Sequence, residues 1–302
     1  MNRDLLETRQ LLAFSTLADT GSFTEAAKRL YLTQSAVSHS IRSLEEQLGC
    51  KLFDRVGKKA QLTEAGERLL RHTMSIFNEM DVAVQSIEEV KAWGTGRIRI
   101  GASTTACRYI LPNVLREFRE SFPRCNVVIE PGDTPVILEG LASNQIDLGF
   151  CLKPWKEIDF ETKLMFEDHM QLVVAPSHPL AECRTLSAEY SNFPFIVYNK
   201  NSYTFDMVNS YFQKEKIEIG QTIELSSVDA IKELVKIGLG IGVLAEWNIK
   251  DELRDGSMVT LPMGNNVITR EWVICKQRTH VSNLMENTFE SLCRSVSSAL
   301  VA

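Results

Sequence analysis

The chain has 302 residues, of which 44% are hydrophobic, so it is long enough for about two or three domains with substantial cores. No apolar run approaches the roughly 20 residues that span a bilayer, and the polar first residues do not resemble a secretory signal. We therefore expect a cytoplasmic protein with no membrane partner. The net charge of −6 argues against nucleic-acid binding, but residues 1–72 hold eleven Lys and Arg against nine Asp and Glu, so the acidic excess lies elsewhere.

The cysteines and histidines do not indicate a metal site. Seven cysteines and five histidines are widely scattered, and none of them shows zinc-ligand spacing. We expect reduced thiols, no metal and no cofactor. Cys107 lies in a candidate ligand loop, so a redox-responsive protein that uses this thiol stays open as an alternative.

The first fifty residues predict three short helices. Ser22 and Glu25 have the spacing of a capping box at the start of the second helix, and Thr33 can cap the third. Gly49 ends the third helix. The predicted ranges are Leu5–Ala18, Phe23–Leu30 and Gln34–Leu48.

The third helix has two chemically different faces. Helical periodicity places Val37, Ile41, Leu44 and Leu48 on one side. The opposite side carries hydroxyl, imidazole and guanidinium donors, which are the groups that reach base edges and phosphates. A polar face is common on any solvated helix, so this face alone does not predict DNA binding and the neighbouring segments have to be considered. The candidate DNA contacts of this segment are Thr33, Gln34, Ser35, Ser38, His39 and Arg42.

A short hairpin is predicted directly after these helices. The run Lys51–Arg55 reads as a strand, residues 56–59 as a tight turn, and Ala60–Leu62 as the returning strand. A basic hairpin after a helix-turn-helix is typical of a wing, whose cations lie against phosphates or in the minor groove. The candidate contacts are Arg55, Lys58 and Lys59. We therefore predict a winged helix-turn-helix over residues 1–66 that binds duplex DNA.

A helix of about thirty residues follows, from Thr63 to about Ala92. Its apolar positions step alternately by four and three residues, which is the heptad pattern of a coiled coil. This predicts a linker helix, residues 67–96 with the hinge Gly94–Gly96, that pairs two copies of the chain. The predicted dimer positions are Leu69, Thr73, Ile76, Met80, Ala83, Ile87 and Val90.

From Arg97 onwards, short apolar strands alternate with helices. This order predicts an α/β domain over residues 97–302, with mostly parallel sheets covered on both faces. The loops that follow the strands then meet at one edge, where α/β sheets bind ligands. Strands are predicted over Ile98–Ile100, Asn126–Ile129, Ile146–Phe150, Met170–Ala175, Phe195–Tyr198 and Thr222–Leu225, with helices over Ile110–Phe118 and Pro135–Ala142.

The N-terminal segments closely resemble the DNA-reading motif of the LysR-type transcriptional regulators. The resemblance lies in residues 23–30, 33–45, 48–49, 52–55 and 62–66, without gaps. Ser35 stands where many members have Pro, and His39 where Arg, Lys or Gln is common. Residues 238–244 also resemble the family's Gly-rich turn into a strand, with Ala245 in place of a frequent Pro.

The resemblance implies the architecture and the mode of action. It implies a two-lobed effector-binding domain similar to periplasmic binding proteins, with lobe 1 at about 97–167 and 270–302 and lobe 2 at about 168–269. It also implies a homodimer, often a tetramer, on an interrupted inverted repeat in promoter DNA at the nucleoid. An effector between the lobes would alter the DNA-bound geometry and the contact with RNA polymerase.

The candidate effector site begins with the hydroxyl run Ser103–Thr105, which follows a strand and opens a helix. Hydroxyls at a helix N-terminus favour an anion, although simple capping would use one of them. Residues 103–112 are similar to a loop of the cysteine-biosynthesis regulators, which bind sulfate-like anions, with Ala106 replacing a typical Gln. We expect a small anionic metabolite, and for residues 226–228 we favour capping. The candidate contacts are Ser103, Thr104, Thr105, Asp133, Thr134, Asn199, Lys200, Ser202 and Tyr203.

Two other classes of protein fit the sequence less well. The Gly-rich residues 238–242 lack the GxGxxG spacing of a dinucleotide site and follow a helix instead of a strand, so we expect no enzyme. A stand-alone solute-binding protein would explain the last 200 residues but not the first 92.

Overall fold

A computed structural model of the chain describes residues 6–56, 59–91, 95–155, 159–185 and 188–301. Its contacts divide the chain into two compact units, residues 1–87 with 143–145, and residues 88–142 with 146–302. The helix Glu64–Lys91 begins in the first unit and ends in the second. None of the described helices combines the length and the apolarity that crossing a membrane requires.

The first unit has the predicted order of helices and hairpin. It comprises α1 (Thr8–Thr20), α2 (Phe23–Arg29), α3 (Gln34–Leu48), β1 (Phe53–Val56), β2 (Lys59–Leu62) and α4 (Glu64–Lys91). The predicted bounds of α3 are confirmed, because the Thr33 hydroxyl accepts the N–H of Ala36 and Gly49 adopts a positive φ of 69°. The first strand of the hairpin begins at Phe53, two residues later than predicted.

The start of α2 differs in detail from the predicted capping box. The Ser22 hydroxyl accepts the N–H of Glu25, as predicted. The Glu25 carboxylate pairs instead with Lys28, and the N–H of Ser22 donates to the hydroxyl of Thr20. Helix α1 continues to Thr20, past the predicted end at Ala18. The predicted start at Leu5 lies outside the described residues.

One hydrophobic core holds the first three helices of this unit together. Phe14 and Leu17 from α1 pack with Val37 and Leu44 from α3, and all four are fully buried. Burial of each such side chain stabilises the fold by about 1.5–3 kcal/mol. Leu48 was predicted on the same face, but it is 38% exposed.

Two close contacts join the hairpin to the helices. The buried Glu45 carboxylate accepts the N–H groups of Leu52 and Phe53 and pairs with Lys51. At Gly66, in the first turn of α4, an added Cβ would lie 2.2 Å from the Leu52 carbonyl oxygen. Only glycine allows α4 to approach the hairpin this closely.

The heptad positions of α4 fall into two groups. Leu69 packs against the core of the first unit, and Thr73 is fully buried within the chain. Ile76 and Met80 are 40% and 48% exposed, and Ala83 is also exposed. The part of the seam that is open to a second copy therefore begins at Ile76. The side chains of Ile87 and Val90 lie outside what the structure describes.

Over its described residues, the second unit is an α/β assembly built on one nine-stranded sheet. Its strands are β3 (Thr95–Ala102), β4 (Arg124–Pro131), β5 (Leu148–Leu152), β6 (Phe160–Val174), β7 (Phe195–Tyr198), β8 (Thr222–Leu225), β9 (Ile241–Ala245), β10 (Val259–Leu261) and β11 (Ile268–Gln277). Its helices are α5 (Thr104–Tyr109), α6 (Leu111–Ser121), α7 (Thr134–Ala142), α8 (Tyr203–Glu215), α9 (Val228–Lys236), α10 (Lys250–Asp255) and α11 (Leu284–Val301). Gly96 lies in β3 and not in the predicted hinge, while residues 92–94 are not described.

The sheet is parallel only within each half. The strands β4, β3 and β5 form one parallel half, and β9, β7 and β8 form the other. Between them lie β6 and β11, which are antiparallel to each other and to their neighbours. The expectation of mostly parallel sheets is therefore wrong at the centre. These two strands run between the halves in opposite directions, and the predicted lobe bounds fall at their register pair Asp168 and Arg270.

Candidate DNA-contacting face and effector cavity

One face of α3 carries a row of polar side chains, most of which are exposed. Thr33, Gln34 and Ser35 at its start are exposed, as are His39 and Arg42 further along. Ser38 is half-buried between them. The Thr33 and Ser35 hydroxyls lie 2.9 Å apart, so the first turn is ordered by its own hydrogen bonds.

This arrangement suits entry of α3 into a DNA major groove. On the opposite face of the helix, Val37 and Leu44 are fully buried in the core of the first unit. A fifteen-residue helix anchored on one side and rich in donors on the other can lie along base edges and phosphates. In the hairpin, Lys59 is exposed, whereas the side chain of Arg55 and the whole of Lys58 lie outside the described residues.

A small cavity lies at the centre of the second unit, where four helices begin. The helices α5, α7, α8 and α9 each follow a strand, and the first residues of all four line the cavity. Its volume is about 40 Å³. The lining residues come from both parallel halves of the sheet: Ser103, Thr104, Thr105, Asp133, Thr134, Leu152, Tyr198, Asn199, Ser202, Tyr203, Thr204, Ser226, Val228, Arg270 and Trp272.

The helix starts give the cavity positive backbone character. Ser103, Ser202 and Ser227 each accept an N–H from the third residue of the helix that they precede. The first N–H groups of a helix have no partner within it, and the helix dipole adds partial positive charge there. Partial positive charge at these helix starts would favour an anion in the cavity. The capping role that the sequence suggests for residues 226–228 belongs to Ser227, while Ser226 and Val228 also face the cavity.

Eight of the nine predicted effector residues line this cavity. The exception is Lys200, which is exposed and lies 3.8 Å from the carboxylate of Glu224, whose other oxygen accepts the Lys200 N–H. Lys200 lies two residues after the end of β7, and its contacts are with Glu224 of the neighbouring β8. Sequence reasoning did not identify Tyr198, Thr204 or Arg270, because a single tyrosine at the end of an apolar strand, or a single threonine or arginine, belongs to no recognisable motif.

A buried ion pair lies beside the cavity, where β6 and β11 pair and Asp168 is opposite Arg270. The Asp168 carboxylate accepts from Arg270 Nε at 2.8 Å and from Arg270 Nη2 at 2.5 Å. It also accepts from the indole N–H groups of Trp247 and Trp272, at 2.7 and 2.9 Å. The remaining Arg270 nitrogen, Nη1, donates to the Thr204 hydroxyl at 3.2 Å. The pair thus joins the central strands to the first turn of α8.

The ion pair keeps both of its members charged. Burial raises the pKa of Asp168, but the charge and hydrogen bonds of Arg270 outweigh burial and hold that pKa below its ordinary value. Burial likewise lowers the pKa of Arg270, and Asp168 reverses the shift. The guanidinium at the cavity wall is therefore already balanced by a carboxylate.

Two other polar groups at the cavity have no such balance. Asp133 is exposed, so water can hydrate its carboxylate, which makes no hydrogen bond or ion pair with the described residues; desolvation by the surrounding chain raises its pKa. The Tyr198 hydroxyl is buried and has no hydrogen-bond partner within the described part of the chain. Burial raises the pKa of Tyr198 to about 12, so the hydroxyl keeps its proton.

Cys107 does not have the environment of a reactive thiol. It is half-buried on α5, and its Sγ lies 3.7 Å from the Ala102 carbonyl oxygen. Burial raises its pKa, whereas redox-active cysteines have a lowered pKa. It is also absent from the cavity wall.

Comparison with known proteins matches both units to one family. The family model described as "Bacterial regulatory helix-turn-helix protein, lysR family" matches residues 8–67, and the "LysR substrate binding domain" matches residues 94–296. The HTH-type transcriptional activator CmpR of Synechocystis sp. is 31% identical over 281 residues, which cover 93% of this chain and 92% of that protein.

Solved structures show the same fold. ArgP from Mycobacterium tuberculosis aligns with a TM-score of 0.74 at 20% identity, over 97% of this chain and 98% of that one. Full-length CbnR complexed with its target DNA aligns with a TM-score of 0.67 at 18% identity, over 96% and 99%. With the polar face of α3, the two family-model matches and the 31% identity to CmpR show that the chain belongs to the LysR family of DNA-binding transcriptional regulators and is not an enzyme.

Proposed function

We propose that this regulator binds promoter DNA as a homo-oligomer and that a small anion in the central cavity controls it. The single observation that carries the effector proposal is the convergence of four helix starts on one cavity of about 40 Å³. Backbone donors and helix dipoles at such a place favour negative charge. RNA polymerase is the further partner that family membership suggests.

The DNA contacts proposed for α3 are those predicted from the sequence, from Thr33 to Arg42. Their support is exposure on one face of a helix whose other face is buried. CbnR, whose fold this chain shares, has been solved with its target DNA. Arg55, Lys58 and Lys59 of the hairpin are proposed as phosphate contacts on the grounds of charge and position.

Pairing of two copies is proposed through the exposed part of α4. Ile76, Met80 and Ala83 offer an apolar strip along this helix, and Ile87 and Val90 continue the same heptad in the sequence. The domain bounds 1–66, 67–96 and 97–302 remain predictions. Two copies are needed because one recognition helix reads few base pairs, whereas a dimer reads two half-sites.

Fluorescence anisotropy with the full chain tests the DNA contacts. The probe is labelled DNA from upstream of the chain's own gene, with a shuffled duplex as competitor at about 0.15 M salt. We expect His39→Ala and Arg42→Ala each to weaken specific binding by about 1–3 kcal/mol. Arg254→Ala is the matched control, since it removes an exposed guanidinium from the second unit. Equal binding of both variants and the wild type would refute the proposed face.

Isothermal titration calorimetry tests the cavity with inorganic sulfate and simple carboxylates. We expect saturable binding that Thr105→Ala weakens, because this residue lines the cavity. Thr260→Ala, on an exposed position of β10, is the matched control. If none of these anions binds, or if Thr105→Ala has no effect, the cavity is not the effector site.

A further inference from the structure

We propose that Tyr31 is a further DNA contact and that its hydroxyl donates a hydrogen bond to a backbone phosphate. Tyr31 lies in the turn between α2 and α3. This inference rests on the proposed use of α3 as the helix that enters the major groove. It comes from the backbone conformation of Tyr31, from the exposure of its side chain and from its place in the helix-turn-helix.

The backbone of Tyr31 has a conformation that favours glycine. Its φ is 56°, at the position directly after the C-cap of α2. The Leu32 N–H donates to the carbonyl oxygen of Ala27 at 2.9 Å. The Tyr31 N–H donates to that of Lys28 at 3.1 Å, which completes the Schellman pattern of a helix end. A Cβ destabilises this left-handed conformation, and a bulky side chain is an outlier there.

The neighbouring helices of the same unit end with glycine in this conformation. Helices α1 and α3 are followed by Gly21 and Gly49, whose φ angles are 63° and 69°. At the corresponding place after α2 the chain has an aromatic residue instead. Tyr31 therefore makes the first unit less stable than glycine would at that position.

Within the described part of the chain, no side-chain contact offsets this loss of stability. Tyr31 is 96% exposed, and its hydroxyl makes no hydrogen bond with the described residues. Exposure alone needs no explanation, since water solvates the phenol. A left-handed backbone that carries an unpacked aromatic side chain does need one, because such outliers are concentrated at functional sites. A role outside the chain supplies it.

The position of Tyr31 indicates which partner it meets. In a helix-turn-helix the second helix lies in the major groove, and the first crosses the sugar-phosphate backbone. Tyr31 follows the first of these helices, and Thr33 caps the second. Two residues of chain span at most about 7 Å, so Tyr31 lies beside the start of α3, at the edge of the groove. Tyrosine hydroxyls are among the groups that donate to phosphate oxygens.

Fluorescence anisotropy with the full chain tests the hydroxyl through one atom. Tyr31→Phe keeps the ring and the backbone conformation. The probes are labelled DNA from upstream of the chain's own gene and a labelled shuffled duplex, at about 0.05 M salt, where non-specific binding is measurable. A phosphate contact carries no sequence information, so we expect this variant to weaken both duplexes by the same factor, at least about fivefold. Its thermal unfolding should match that of the wild type.

Tyr31→Gly tests the opposite effects of this residue on binding and on stability. It should weaken both duplexes at least as much as Tyr31→Phe does. In calorimetry of the full chain it should raise the unfolding temperature of the first unit by about 4–8 °C, because glycine adopts the left-handed conformation freely. Lys216→Gly is the matched control, since Lys216 is exposed and has the same φ of 56° at the end of α8. It should stabilise the second unit and leave DNA binding unchanged.

The outcomes separate this inference from the proposed DNA-reading face. Wild-type affinity of Tyr31→Phe for both duplexes would overturn the inference, and so would a loss confined to the upstream duplex. A Tyr31→Gly variant that is no more stable than the wild type would remove its premise. If His39→Ala and Arg42→Ala weaken specific binding and Tyr31→Phe does not, the inference alone fails. If none of the three variants affects binding, the proposed face fails and this inference fails with it.

Discussion

Replacement of Asp168 by Asn would remove one charge from the ion pair that joins the central strands β6 and β11. Asp168 and Arg270 have side-chain exposures of 1% and 3%, so water cannot compensate for a lost partner. The carboxylate also accepts from two indole N–H groups, and Asn offers one oxygen and a competing amide donor in its place. The variant therefore leaves a buried guanidinium without a counter-charge.

The expected loss follows from the burial of this pair. Removal of one member of a buried ion pair costs about 3–5 kcal/mol. For a domain of this size, each kcal/mol shifts the melting temperature by about 2–4 °C, so Asp168→Asn should lower it by roughly 6–20 °C. The surface pair Asp251–Arg254 serves as a comparison, because Asp251→Asn should cost less than about 1 kcal/mol.

Urea unfolding followed by tryptophan fluorescence measures this loss where it arises, since Trp247 and Trp272 donate directly to Asp168. The double variant Asp168→Asn with Arg270→Met removes both charges and should recover most of the stability. A free energy of unfolding for Asp168→Asn within about 1 kcal/mol of the wild type would refute the reasoning. So would a double variant as unstable as the single one, because the loss would then not come from an unpaired charge.

Three further predictions concern other parts of the molecule. Ile76→Asp places a charge on the exposed strip of α4 and should convert dimers to monomers in sedimentation velocity. Dimers that persist over the same protein concentrations as in the wild type would contradict the proposed dimer strip. Glu286 raises the pKa of His280 above the ordinary 6.5, so this pair should stabilise the second unit below about pH 6.5 and lose that contribution as pH rises through the folded-state pKa; His280→Asn should flatten the pH profile of the unfolding midpoint, and an unchanged profile would exclude the pair. Gly66→Ala should destabilise the first unit by about 1–3 kcal/mol in thermal unfolding, because its Cβ meets the Leu52 carbonyl, and an unchanged transition would show that α4 can move aside.

The helices of the first unit could be predicted from the sequence because their ends depend on neighbouring residues. Thr33 and Gly49 fix both ends of α3 through one hydroxyl and one positive φ, so its bounds follow from neighbouring residues alone. The heptad spacing of α4 was equally visible, but spacing does not tell which side of a helix meets its own domain. Thr73 fits the heptad and is nevertheless fully buried within one chain.

The second unit was less readable because its central features depend on residues far apart in sequence. Asp168 and Arg270 are 102 positions apart, and each looks like a solvated charge in an alternating strand until the other is placed beside it. Only the last residues of β6 were predicted, since the four apolar residues among its first ten follow no regular alternation. The cavity residues in loops after strands were found from that general rule, whereas Tyr198 lies inside a strand and gave no signal.

Mapping of binding sites across the genome of the source cell tests the central claim most directly. The account predicts discrete enriched sites that contain an interrupted inverted repeat, with one near the chain's own gene, and their loss in a strain that carries Arg42→Ala. A uniform profile, or sites that persist unchanged in the Arg42→Ala strain, would contradict the assignment of α3 as the DNA-reading helix.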